Sequence, residues 1–390
     1  MSTMTKTSEH LLYLMACALQ GVSAREEVLA DADLKQLLIM ARKHSVASMV
    51  CMALEKTAIF ANADEATKKQ WIDAKNKAIR KNMLLDAERK IISHELETQG
   101  IWYMPLKGSI LKDWYPKPGM REMADNDILF DASKRKEVKA IFQGRGYTVK
   151  GYNKSNHDEY EKPPIYNFEM HVELYHKIYD TFNEKYAAVK QRLIPDAEVP
   201  YRLHFTPEDF YVFVIAHAYK HYSSSGTGIR TLADIYIMKQ KLGGTLNWEY
   251  VDSELRGLGI FSYEHESREL AQKLFGTAEL PTKANLSEAE QQMLAYYLGA
   301  STYGTIENRT LNKMRKLQPD GGAITAHTKR KYLLSRIFPG REWCEAYAPT
   351  VYKYPVLLPF FWVWRLVYRG ITNRKKVTQE IKALKAVSRR

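Results

Sequence analysis

Two aspartates separated by one residue, Asp125-Asn126-Asp127, open an apolar run, Ile128-Leu129-Phe130. In an extended chain alternate side chains share a face, so both carboxylates point the same way. Held side by side they repel unless a cation lies between them, and Mg²⁺ favours one or two carboxylates completed by substrate phosphates. Upstream, Gly108-Ser109 follows a short apolar stretch, Ile101 to Leu106, and opens the segment Ile110 to Tyr115. A helix starting there aims unpaired backbone N–H groups at whatever lies above it, which suits a phosphate. Glycine lets the backbone come close and Ser109 adds a hydroxyl donor. The order strand, Gly-Ser, helix, strand with two aspartates predicts a phosphate site beside a cation site.

Two-metal nucleotidyl transfer needs a further carboxylate, so that one ion activates the attacking hydroxyl and the other steadies the triphosphate. The run Phe168-Glu-Met-His-Val-Glu-Leu174 offers one. Alternation puts Glu169, His171 and Glu173 on one face, with Phe168, Met170, Val172 and Leu174 on the other. Glu169 is the first choice and Glu173 the alternative. His171 is expected to support the site through a hydrogen bond rather than to bind metal. His217 and His221 stand four apart on one helix face. Ala218 occupies the place where a zinc-protease helix needs its glutamate, so no zinc is expected there. Lining the cleft, with Lys220 and Arg230 near the phosphates, competes with plain helix packing for these residues.

The elements that must position these groups divide the chain. Residues 1–100 read as helices: one capped by Ser8 and ended by Gly21, one from Leu34 to about Leu54, and one from Thr67 to Thr98. The last carries a stripe of Trp71, Ala74, Ala78, Met83, Leu84, Ala87, Ile91 and Leu96. Residues 101–200 read as an α/β core, with strands at 101–106, 125–130, 147–152 and 165–174 and a helix at 133–144. Helices resume at Thr206-Pro-Glu-Asp209, a cap followed by Pro and two acids, and fill 201–318. Pro319-Asp-Gly-Gly322 marks the passage into a tail, 319–390. The expected fold is α+β, a small mixed sheet with helices on one side, embedded in helical N- and C-terminal regions.

Composition bounds the remaining possibilities. The 390 residues are 45% hydrophobic with 20 Gly and 14 Pro, a foldable globular chain. The net charge of +13 would ordinarily suggest nucleic acid or an anionic membrane. Residues 311–390, however, carry 18 Lys/Arg against 4 Asp/Glu, leaving the first 310 residues nearly neutral. Cys17, Cys51 and Cys344 form no C-x-x-C pair, so neither a disulfide framework nor a thiolate zinc site is indicated, and a reducing cytoplasm is the natural reading. No stretch reaches the ~20 apolar residues of a membrane span. Pro355 to Trp364 is too short to cross; the first reading of the tail is a capping helix whose aromatics pack inward beside a solvated basic face, and the alternative is docking to an anionic membrane surface or an acidic partner. A tRNA-type partner is a weaker option, because no stacking platform accompanies the charge.

The run Leu106-Lys-Gly-Ser109, then Tyr115-Pro116, Arg121 and Ala124-Asp-Asn-Asp-Ile-Leu129 resembles the uncharacterised nucleotidyltransferase family of the polymerase-β-like superfamily. Glu169-Met-His171, His217-Ala-Tyr-Lys-His221, Arg230 and Asp234 are similar to later parts of its pattern, and Phe338-Pro339 and Leu357–Arg365 look like its C-terminal end. Asn126 departs from the aliphatic residue usual between the aspartates. The resemblance implies that Asp125, Asp127 and Glu169 hold Mg²⁺ (or Mn²⁺) and that Gly108 and Ser109 hold the β- and γ-phosphates. It also implies that Lys107 and Arg121 neutralise phosphate charge and that Glu169 is the base for the acceptor. The expected reaction moves a nucleoside monophosphate from an NTP, ATP first, onto a hydroxyl of a small molecule, protein or RNA end and releases pyrophosphate. The alternative is a regulatory protein on the same fold that binds nucleotide or a partner without turnover.

Overall fold

The computed structural model describes residues 4–176, 180–318 and 324–386. Pro319-Asp-Gly-Gly322 and the final Arg389-Arg390 lie outside the described residues. The chain separates into two compact units, residues 1–218 with 228–302, and residues 219–227 with 303–390.

The first unit begins with six helices, Lys6–Gln20 (α1), Glu26–Leu29 (α2), Leu34–Lys43 (α3), Ala47–Leu54 (α4), Ala58–Ala61 (α5) and Glu65–Thr98 (α6). Ser8 is not the cap of α1 but the third residue of a capping box whose cap is Thr5. The single helix expected from Leu34 to Leu54 is broken after Lys43, where Ser45 takes φ +53°. In α6 the buried stripe is Thr67, Trp71, Ala78, Asn82, Leu85, Glu88, Ile92 and Leu96. Met83 and Ile91, expected inside, are exposed. Polar Asn82 and Glu88 take the inner face because the sheet domain supplies their partners. Asn82 donates to the Arg121 carbonyl, and Glu88 accepts from Arg145 and Tyr147.

Five strands follow: Tyr103–Pro105 (β1), Asn126–Phe130 (β2), Thr148–Gly151 (β3), His157–Lys162 (β4) and Tyr166–His171 (β5). Between them lie Gly108–Leu111 (α7) and Arg135–Gly144 (α8). The sheet order is β1-β2-β5-β4-β3, with β2 and β5 parallel and the other neighbours antiparallel. The fold is thus the mixed α+β expected. One face buries Ile128, Phe130, Tyr160, Phe168 and Met170 against Ile92 and Leu96 of α6 and Val138, Ile141 and Phe142 of α8. Strand β4 has no apolar alternation, only His-Asp-Glu-Tyr-Glu-Lys. It survives inside the sheet because buried Asp158 is gripped by Arg135 at 2.7 Å. Strand β5 ends at His171, short of the expected Leu174.

After Asp180–Tyr186 (α9), Ile194–Pro195 (β6) and Leu203–His204 (β7) come Pro207–Tyr222 (α10), Arg230–Leu242 (α11), Trp248–Gly257 (α12), Phe261–Phe275 (α13) and Glu288–Gly299 (α14). Helix α10 starts where Thr206-Pro predicts. All three cysteines are buried and unbridged.

The second unit contains Ile306–Lys316 (α15), Ala326–Ile337 (α16), Arg341–Tyr347 (α17), Pro349–Lys353 (α18), Leu358–Thr372 (α19) and Arg374–Ala386 (α20). Its interior holds Thr310, Met314, Tyr332 and Ala383, and Arg336 of α16 pairs with Glu380 of α20 at 2.7 Å. The aromatics of α19 divide: Phe361 and Trp362 are partly buried, while Phe360 and Trp364 are exposed. No helix among the described residues is long and apolar enough to cross a membrane.

Candidate active site

The sheet face opposite the apolar core carries the carboxylates. Asp127 lies directly beside Glu169 across the parallel β2–β5 pair. Glu159 lies beside Glu169 across β4–β5, and His157 beside His171. Asp125 stands one residue ahead of β2, and the carbonyl of Ala124 accepts from Lys81 of α6 at 2.7 Å. Asn126 points the other way, fully buried, donating to the Leu85 carbonyl at 3.0 Å and accepting from Arg89 at 3.1 Å. Asn126, polar where an aliphatic residue is expected between the aspartates, therefore fastens β2 to α6, and its polar group is satisfied.

Asp127 is the best-held charge of the site. Lys107 Nζ lies 3.0 Å from its Oδ1, and His171 Nε2 lies 2.9 Å from the same oxygen. His171 also faces Glu169 at 3.7 Å, and His157 faces Glu169 at 3.9 Å. Burial alone would raise the Asp127 carboxyl, but the Lys107 charge and the His171 hydrogen bond override it and hold it far below the usual range. The neighbouring His171 ring also lowers Glu169, against its burial. His171 in turn is raised, because Asp127 and Glu169 outweigh the burial that disfavours its cation. Asp125 goes the other way, to about 7, through burial first and then the charges of Asp127 and Glu169. A carboxylate pushed up by its neighbours is a place where an added cation is worth most.

Lys107 is positioned by an unusual backbone, φ +45° and ψ −108°, between the end of β1 and α7. Such strain in a non-glycine residue persists where surroundings over-determine it, often at functional sites. Leu106 N–H donates to the Asp127 carbonyl at 3.0 Å, which ties this turn to β2. Ser109 is buried, and its hydroxyl proton is spent on the Leu106 carbonyl at 2.8 Å, so it is not offered to a phosphate in this arrangement. Gly108 is demanded by packing: a Cβ there would lie 2.6 Å from Arg121 Nη1 and 3.1 Å from the Met123 side chain.

Arg121, expected at the phosphates, is committed elsewhere. It makes a two-pronged contact with Asp234, Nε–Oδ1 2.7 Å and Nη2–Oδ2 3.0 Å, and Tyr115 donates to the same carboxylate at 2.7 Å. Three residues of the sequence pattern thus form one buried clamp under the Gly108 turn. Arg230 donates to the Glu122 carbonyl at 2.9 Å, and its charge reaches Asp125. Glu173 is exposed past the end of β5, its carbonyl accepting from Asn156, so Glu169 is the carboxylate on the site face. His217 and His221 are half-buried on α10; the ring of His217 meets Phe213, and the His221 carbonyl closes the following turn.

Sequence reasoning missed His157. With Glu169 and His171 it offers three donor atoms within 4.8 Å of one another, a set able to hold a metal ion. Only the pairing of β4 with β5 brings it there. A family model described as uncharacterised nucleotidyltransferase matches residues 30–276, more than half of the chain. The chain belongs to that family. No curated protein and no solved structure gives a significant match. The matched span takes in every site residue from Lys107 to Asp234, and a nucleotidyltransferase family implies a nucleoside triphosphate as donor. It ends before α14, so the tail resemblance at Phe338-Pro339 and 357–365 lies outside it.

Proposed function

We propose that this nucleotidyltransferase-family protein is a divalent-metal-dependent enzyme that moves a nucleoside monophosphate from an NTP, ATP first, onto an acceptor hydroxyl. The observation that carries this reading is the register of Asp127 beside Glu169 with Asp125 two residues before Asp127, where burial and the charges of the other two carboxylates raise Asp125 to about 7. Such a set fits a divalent ion: Asp125, Asp127 and Glu169 supply oxygens suited to Mg²⁺ or Mn²⁺, and the imidazoles of His157 and His171 tilt the preference toward Mn²⁺. When bound, the metal would neutralise triphosphate charge and acidify the acceptor hydroxyl.

The chain's own residues do the rest. Lys107 serves as the counter-ion of Asp127 in the metal-free site and turns toward the phosphates once that charge is taken up. His171 fixes the orientation of Asp127 and Glu169. The acceptor oxygen attacks the α-phosphorus, its proton passes to Glu169, and the bond to the β-phosphate breaks to release pyrophosphate. Arg121, Tyr115 and Asp234 support the Gly108 turn from below, a positioning role. Incubation with each α-labelled NTP and Mg²⁺ or Mn²⁺ in a native lysate should transfer label to an acceptor. An Asp125→Asn, Asp127→Asn double variant should transfer none. Absence of both Mg²⁺–ATP binding and labelling by every NTP would overturn the reading.

A further inference from the structure

The helices of the second unit present a feature the nucleotidyl-transfer reading does not use. On α19, Phe360, Val363, Trp364, Val367, Tyr368 and Ile371 recur at intervals of three and four, one side of a helix, and all six are exposed. Their exposures are high for such large side chains, 72% for Phe360, 64% for Val363, 57% for Trp364 and 68% for Ile371. Val356 and Leu357, just before the helix, extend the stripe. The opposite side is anchored: Arg365 is buried, donates to the Arg336 carbonyl at 2.6 Å and lies over the Trp343 ring at 4.7 Å. The stripe therefore faces outward while its helix is held by the other side. A contiguous exposed apolar strip of this kind marks a surface that something covers.

The charge around the stripe says what. From Ala346 to Gln379 there is no Asp or Glu, whereas Lys353, Arg374 and Lys376 are exposed at its two ends. Where α19 passes into α20, a cavity of about 180 Å³ is lined by Arg309, Lys313, Arg336, Asn373, Lys376 and Glu380. Besides the Arg336–Glu380 pair, Arg309, Lys313 and Lys376 stand around the space, so cations outnumber its one carboxylate. A seat of that size and sign fits a phosphate group. An apolar stripe rich in Trp, Tyr and Phe, on a stretch of chain that carries cations and no acid, has the chemistry of an interfacial helix that lies in the headgroup region of an anionic bilayer.

We propose that α15–α20 form a docking surface for an anionic phospholipid bilayer, with the α19 stripe entering the headgroup boundary and the α15–α20 cavity taking a lipid phosphate. The helix lies on the membrane and does not cross it. The full-length protein should co-sediment with vesicles of 70% phosphatidylcholine and 30% phosphatidylglycerol at least tenfold better than with pure phosphatidylcholine. Raising NaCl from 0.1 to 0.5 M should remove most of that preference. Val363→Glu with Val367→Glu should cut binding to the anionic vesicles by tenfold or more, and Lys313→Glu with Lys376→Glu should abolish the preference for phosphatidylglycerol. All four positions are exposed, so the far-UV circular dichroism of both variants should match the parent, and binding is compared per folded molecule. Equal sedimentation with both vesicle types would overturn the proposal. So would a salt-stable dimer in lipid-free sedimentation that Val363→Glu with Val367→Glu dissolves, because a second copy would then be the occupant.

Discussion

The two faces of one five-stranded sheet solve opposite problems with neighbouring residues. On one face Asn126, Ile128 and Phe130 meet helices, and the buried polar side chains have fixed partners, Asn126 in Leu85 and Arg89 and Asp158 in Arg135. On the other, Asp127, Glu169, His157 and His171 gather charge that the chain only partly balances. The first face spends its polar groups on holding the fold. The second keeps an electrostatic deficit, seen in Asp125 at about 7, that a ligand can relieve. Catalytic capacity here lies in what the structure leaves unbalanced, and stability in what it balances.

The sharpest way to break this contrast is to change adjacent residues at the start of β2. Asp125→Asn should lower labelled-product formation on the order of 10³-fold while the metal-free protein melts no lower than the parent. Asn126→Leu should do the reverse, costing about 1–3 kcal/mol of stability by chemical denaturation, with activity per folded molecule kept. If both variants lost activity in proportion to folded protein, the two faces would not be separable. Asp234→Asn tests whether the clamp belongs with the supporting side. Leaving Arg121 buried and unpaired should cost roughly 3–5 kcal/mol, yet the KM for NTP of the folded fraction should hold. A raised KM at normal stability would instead return Arg121 to the phosphates.

The gentlest test uses pH. A carboxyl whose folded pKa is raised to about 7 contributes stability that is full below its unfolded value of 3.8 and is lost as pH rises through 7. Metal-free Asp125→Asn should therefore melt higher than the parent at pH 8, with the gap closing toward pH 4. Mn²⁺ should raise the melting of the parent at pH 8 and not that of the variant.

Much of this was legible in the residues. The alternation around Asp127 and Glu169, the Lys107-Gly108-Ser109 turn and the helix start at Thr206 all depend on local spacing, and the structure keeps them. What was not legible depends on partners far away in sequence. Strand β4 looks like a loop because its buried residue is an aspartate, and only Arg135 makes that burial tolerable. His157 was invisible for the same reason. The inner face of α6 was misread because Asn82 and Glu88 are inside, where their hydrogen-bond partners in the sheet domain outweigh the apolar pull of Met83 and Ile91. Arg121 carries a motif position, but nothing local reveals that Asp234 lies against it.

Helix α6 has a consequence for anyone wishing to cut the protein into pieces. Lys81, Asn82, Leu85, Glu88 and Arg89 each bond to the stretch from Arg121 to Tyr147, and Asp86 receives Lys112 at 2.8 Å. A boundary drawn at residue 100 would sever none of the backbone of the sheet yet strip it of a whole row of fastenings. The heritable unit is the helix and sheet together: a graft, a truncation or a chimera that exchanges one must carry the other, and recombination between relatives should be tolerated outside 65–171 far better than within it.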